Sequence, residues 1–144
     1  MMEDIIARLT AKDDKAAYEC AKEISAESAQ SDKYLSMIPE FAGLLTHDSS
    51  FVRTRGFMLI CAQARWAKDG EIGDVFDQMV PLLNDPKPTA VRQCLLALHE
   101  VALYRPEMNE RIEKAIDGID LTKYKDSMTP LITKDIESLR RMIE

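Results

Sequence analysis

With 144 residues, 46% apolar and 31% charged, the chain has the size and composition of one folded domain and is too apolar to remain disordered. Its 25 acidic side chains against 19 basic ones leave a formal charge of -6, so the overall field disfavours nucleic acid and anionic membrane surfaces as partners. With five glycines, six prolines and no sustained strand-like alternation, the apolar positions point to helices throughout.

The N-terminal stretch MMEDIIARLTAKDDK places Glu3 and Asp4 before a short apolar segment, whereas a secretory signal has a basic start and a longer apolar core. No apolar run reaches the roughly 18 residues of a bilayer span. Cys20, Cys61 and Cys94 lie more than 30 residues apart with no C-x-x-C pair, the pattern of reduced thiols. A soluble cytoplasmic protein is expected. Leu9 to Asp13 then form a turn before a helix carrying Ala17, Glu19, Cys20 and Glu23.

Asp32 or Ser36 is expected to cap the next segment, with Tyr34, Met37, Phe41 and Leu44 at three-to-four spacing and Pro39 bending it or marking its first turn. After Leu45-Thr46-His47-Asp48, residues 51–67 read as a helix with Val52, Gly56, Leu59, Ile60, Gln63 and Ala67 on one side and Thr54, Cys61 and Arg65 opposite. A loop at 67–73 follows. Asp74 is the expected cap of a helix facing inward through Val75, Met79, Leu82 and Leu83, interrupted by Pro81. Beyond Leu83-Asn84-Asp85, the helix over 89–104 sets Val91, Leu95, Leu98 and Ala102 inward and Gln93, Ala97, Glu100 and Tyr104 outward. Pro106 opens another partner helix, and after a loop at 121–126 the last helix gathers Met128, Leu131, Ile132, Ile136, Leu139, Met142 and Ile143 on one broad side.

The turns repeat. Leu9, Leu45 and Leu83 each precede an acidic residue and an inward Ala or Val, at separations of 36 and 38 residues, and Ile119-Asp120 echoes them 36 residues later. The units run approximately over 1–29, 30–68, 69–105 and 106–144 of a single domain. Pro81-Leu82-Leu83-Asn84-Asp85 followed by Val91-Arg92 and an Ala/Leu-rich helix resembles the signature of HEAT repeats, a family of stacked helical hairpins overlapping the armadillo type. Pro39, Leu44-Leu45, Asp48 and Val52-Arg53 fall in the same register. The first unit has Tyr18 where the arginine would be and the fourth lacks the Val-Arg step, departures that suit terminal capping units. The resemblance implies an all-α chain, a right-handed α-α superhelix of about four HEAT-like hairpins. It specifies function weakly, since related repeats serve as scaffolds, transport receptors, regulators and a few enzymes.

Asp48 and Asp85 are placed to accept free amides at the next helix start. The resemblance also implies an Asp/Arg ladder in which Arg53 and Arg92 reach the aspartate of a neighbouring turn. The alternative is an anion site formed by these arginines with Arg55. Gly56 reads as the contact point between paired helices, because a mid-helix glycine costs about 1 kcal/mol against alanine.

Catalytic chemistry finds little footing. His99 is expected to be buried and hydrogen-bonded, and His47 to face solvent, so a triad with Ser49 or Ser50 rests on nearness in sequence alone. The acidic pairs Asp13-Asp14, Glu19 with Glu23, and Glu107 with Glu110 lie on exposed helical surface, and no Gly-rich phosphate loop is present. Cys20 and Cys94 read as core, and Cys61 as the one reactive thiol on the open side. No catalytic residue, metal ligand or cofactor is expected.

If the hairpins stack, the outward residues of the second helices form a strip through Glu19, Glu23, Thr54, Met58, Cys61, Arg65, Gln93, Ala97, Glu100 and Tyr104, with Trp66 and Arg105 at its end. Met58, Arg65, Trp66, Gln93, Glu100 and Tyr104 are the candidate partner-binding residues, since Trp, Tyr, Met and Arg are enriched at contact hot spots; Trp66 is equally placed to close the core under the 67–73 loop. The expected function is a non-catalytic protein-interaction or scaffold module, a monomer binding an unidentified protein or peptide. The alternative is a HEAT-like lyase or a DNA glycosylase-like protein acting on nucleic acid, which would need a more basic inner curve.

Overall fold

The computed structural model describes residues 2–144, which form helices and turns with no strand among them. Helix α1 (Met2–Leu9) has Glu3 and Asp4 in its first turn and Arg8 in its last, the charge order its dipole favours, and buries Ile5 and Leu9. Asp13 caps α2 (Asp14–Ser28) by accepting the amides of Lys15 and Ala16 at 3.1 and 3.2 Å. Helix α3 (Ile38–Gly43) lies between 3-10 turns at Leu35–Met37 and Leu44–Thr46, with Pro39 in its first turn. Its N-cap position is Met37, so neither Asp32 nor Ser36 plays the expected capping role.

Helix α4 (Ser50–Cys61) ends in turns that run on to Trp66. Gly70 then adopts a left-handed conformation, φ 84°, which a Cβ would resist, and starts α5 (Glu71–Met79). Asp74 therefore sits within the first turn instead of capping it. Pro81 lies in the 3-10 turn Val80–Asn84, where a residue without an N–H fits. Helix α6 (Pro88–Tyr104) has proline at its start, and a short 3-10 turn, Pro106–Met108, leads into α7 (Asn109–Asp117). The chain ends in α8 (Thr129–Ile143).

Helices α2, α4, α6 and α8 pack in chain order, each on the next, while α3 packs on α5 and α7 on the turn at 80–84 and on α8. Hydrogen bonds at both ends fix the sense of the first three. Near their starts, Arg55 of α4 reaches Asp14 of α2 and Arg53 of α4 reaches Asp85, just before α6. Near their ends, Arg65 reaches Ala29, which follows α2, and Tyr104, the last residue of α6. Helices α2, α4 and α6 therefore lie side by side and run the same way.

One apolar cluster extends from Ile5 to Leu139. Phe41, Phe57, Leu59, Ile60, Leu95 and Leu98 are fully buried in it, each worth about 1.5–3 kcal/mol against exposure. At Gly56 the backbone of α4 comes close to the end of α3: a Cβ there would sit 2.8 Å from the Phe41 carbonyl oxygen and 2.9 Å from Leu44 Cβ. On α8 only Ile132, Ile136 and Leu139 of the expected broad face are buried, and Leu131 and Met142 are exposed. The buried stripe follows 132, 136, 139; residues 131 and 142 belong to the next stripe around the helix.

Candidate functional site

Polar contacts tie α2, α4, α6 and α8 to one another and to the turns between them. Arg53 donates from Nε and pairs from its terminal nitrogen to Asp85 Oδ1 at 2.9 and 2.8 Å, and also donates to the carbonyls of His47 and Asp48 at 2.8 and 3.0 Å. Asp85 is buried and its Oδ2 accepts the Lys87 amide at 3.0 Å, so one carboxylate closes its own turn and anchors the preceding helix. Asp48 contributes its backbone carbonyl, while its exposed side chain accepts no hydrogen bond among the described residues and does not cap α4, whose N-cap is Ser49. Arg92 departs from the expected ladder: its partner is Asp135 at 2.7 Å, on α8, because α8 and not a turn lies against α6 there. The hydrogen bond to that carboxylate raises the guanidinium pKa further. Arg55 is buried and donates to the Leu9 carbonyl at 2.9 Å and to Asp14 Oδ1 at 2.9 Å. The three arginines thus answer three different elements and do not converge on a shared anion site.

At the opposite ends, Arg65 donates to the Ala29 carbonyl and to Tyr104 Oη, both at 2.6 Å, with its guanidinium 4.7 Å from the Tyr104 ring centre. Trp66 Nε1 donates to the Ser28 carbonyl at 2.6 Å. Both side chains therefore satisfy carbonyls that α2 leaves free at its C-terminus, where a cation also meets the negative end of the dipole. Fully buried Gln63 donates to Ser28 Oγ at 2.9 Å beside them. Arg65, Trp66 and Tyr104, expected at the hot end of a contact surface, are half-buried and join the ends of α2, α4 and α6.

Across the exposed side of α2, α4 and α6 runs a trough made of two adjoining cavities of about 460 Å³ each. One is bounded by Ser25, Ala29, Cys61, Arg65, Leu96 and Glu100, the other by Asp14, Lys15, Phe51, Thr54 and Arg55, and Tyr18, Met58 and Gln93 line both. Of the candidate residues, Met58, Arg65, Gln93 and Glu100 line this trough, while Trp66 and Tyr104 do not. Tyr18, Phe51 and Leu96 are 47%, 62% and 71% exposed, which puts three large apolar side chains along its rim. The expected strip did not include them. Phe51 and Leu96 stand among helical residues whose neighbours, Val52 and Leu95, point inward; that offset is a legible sign of an apolar residue on the wet side.

Thr54 and Cys61 lie deeper than expected. Thr54 is buried and donates to the Ser50 carbonyl at 2.7 Å. Cys61 is 1% exposed on the trough floor and not on the open side the sequence suggested, and burial and the charge of Glu100 push its thiol pKa up. The reason is packing: α6 closes over the side of α4 that a lone helix would show to water. Cys94 is also buried with its thiol pushed up. Glu100 is exposed and makes no ion pair among the described residues. His99 is half-buried and makes no side-chain hydrogen bond among the described residues, in contrast to the buried, bonded histidine expected. His47 Nδ1 accepts the Ser49 amide at 3.0 Å, a turn contact that engages the backbone of Ser49 and not its hydroxyl.

Among the described residues no helix is long and apolar enough to cross a membrane. No family model matches the chain, and no curated protein or solved structure matches it either.

Proposed function

We propose that the chain is a short stack of HEAT-like helical hairpins, a right-handed α-α superhelix, acting as a non-catalytic protein-interaction module. The observation that carries this is the trough: a groove over three parallel helices with Tyr18, Phe51 and Leu96 exposed along it. Exposed apolar side chains cost solvation and invite association, and contiguous ones mark contact surfaces. Of the polar residues that line the trough, Arg55 and Arg65 are engaged in holding the helices together, and most of the surface it offers is apolar. Such a wall suits recognition by shape and apolar contact.

A photo-crosslinking residue at Leu96 or Tyr18 tests this in cells, with Gln78 on α5 as the exposed control. The expected result is one common protein adduct at both trough positions, absent at Gln78 and lost when Phe51→Asp is added. The same adduct at Gln78, or adducts indifferent to Phe51→Asp, would move the interaction off this face.

A further inference from the structure

The trough's own chemistry narrows what it holds. Its walls are helices, whose backbone groups are bonded internally, so it offers no strand edge to a ligand. An extended segment pressed against Tyr18, Met58 and Leu96 would bury amides and carbonyls with few partners, a cost of about 1–3 kcal/mol for each group left unpaired. An α-helix satisfies its own backbone and brings only side chains to the wall. The walls are long enough for one: α2 and the residue after it line the trough from Asp14 to Ala29, about 22 Å at 1.5 Å per residue.

Charge supplies direction. Arg55 and Arg65 face the trough but are bonded to Asp14 and to the Ala29 carbonyl with Tyr104. Glu100 at one end and Lys15 at the other are exposed and make no ion pair among the described residues. The trough therefore carries an unanswered carboxylate at the end where the inner helices finish and an unanswered ammonium where they start.

Building on the interaction-module reading, we propose that this trough binds one amphipathic α-helix of a partner protein, about 15 residues long. The helix presents an apolar stripe, a Lys or Arg to Glu100, and an Asp or Glu to Lys15. The stripe repeats at i, i+3, i+4 and i+7 and seats between Tyr18, Phe51 and Leu96.

The test uses the full chain and synthetic 16-residue helical peptides with a leucine stripe, followed by fluorescence anisotropy at low salt. One peptide has lysines at its N-terminal end and glutamates at its C-terminal end, a second has the reverse order, and a third carries glutamines at both. One of the two charged orders is expected to bind about tenfold tighter than the glutamine peptide, the yield of two partly exposed ion pairs. In the doubly substituted chain Lys15→Glu with Glu100→Lys the preferred order is expected to switch. Both side chains are exposed, so circular dichroism of that variant should match the parent. Equal binding of the charged and the glutamine peptides to the parent chain would overturn the proposed charge recognition while leaving an apolar interaction face intact. Competition by a proline-interrupted extended peptide at equal strength would overturn the helical occupant. Failure of all three helices to bind the parent chain would overturn the proposal outright, and the crosslinking experiment would still judge the module by itself.

Discussion

Replacing Gly56 by alanine should destabilise the protein, against the general preference of helices for alanine. In an unobstructed helix the change gains about 1 kcal/mol. Here the new Cβ would stand 2.8 Å from the Phe41 carbonyl oxygen and 2.9 Å from Leu44 Cβ, whereas carbon atoms rest at about 3.5–4.0 Å, so α4 and the end of α3 must part by about 0.6 Å or more. Neither obstacle yields easily. The Phe41 carbonyl accepts the Leu44 amide at the C-cap of α3, and Leu44 is itself buried. Overpacking of this kind costs about 1–3 kcal/mol, and separating the backbones also loosens the contacts of Leu45, whose Cδ2 would lie 3.6 Å from the new atom. With the alanine gain of about 1 kcal/mol deducted, the net loss should reach about 2 kcal/mol, or a fall in Tm of up to roughly 8 °C for a chain of this size. Urea unfolding followed by circular dichroism measures it. Gly73→Ala is the internal comparison: its Cβ would meet only side-chain atoms, Arg111 Nη1 at 3.3 Å and Met108 Sδ at 3.7 Å, and although that guanidinium donates to the Gly73 carbonyl at 2.9 Å, it needs to shift by only a few tenths of an ångström, so the change should cost less than Gly56→Ala. Equal effects of the two substitutions would refute the claim that backbone approach at Gly56 sets the spacing of this helix pair.

Three further outcomes follow from the polar contacts and the thiols. Asp85→Ala should cost about 2–4 kcal/mol by leaving Arg53 without its carboxylate and Lys87 without its turn acceptor, whereas the joint change Arg53→Met with Asp85→Leu should cost less; urea unfolding of the three variants reads the difference. Arg65→Ala should speed amide exchange over residues 26–30, where α2 ends, and leave residues 14–18 unchanged, because the lost contact is to the Ala29 carbonyl. All three cysteines are buried and burial raises their thiol pKa values, so at pH 8 a disulfide reagent should modify none of them rapidly in the folded chain and all three in urea; fast native labelling of Cys61 would show an open trough floor.

Within the described residues, the sequence by itself determined the helices and most of the buried faces. Apolar spacing located α4 and α6 and assigned Val52, Leu59, Val91, Leu95 and Leu98 inward, because a helix must bury its continuous stripe whatever covers it. Gly56 was legible for the same reason: a glycine on the buried stripe of a helix has little use except close approach. What the sequence left open was decided between helices. Arg92 found Asp135, Arg65 and Trp66 found the carbonyls at the end of α2, and Cys61 and Thr54 went under a neighbour, all pairings separated by many residues or made by packing. The trough belongs to this second class. Periodicity distinguishes the inner side of one helix from its outer side, but a groove exists only where several helices lie parallel at a spacing their side chains do not fill, and that spacing is a property of the assembled layer.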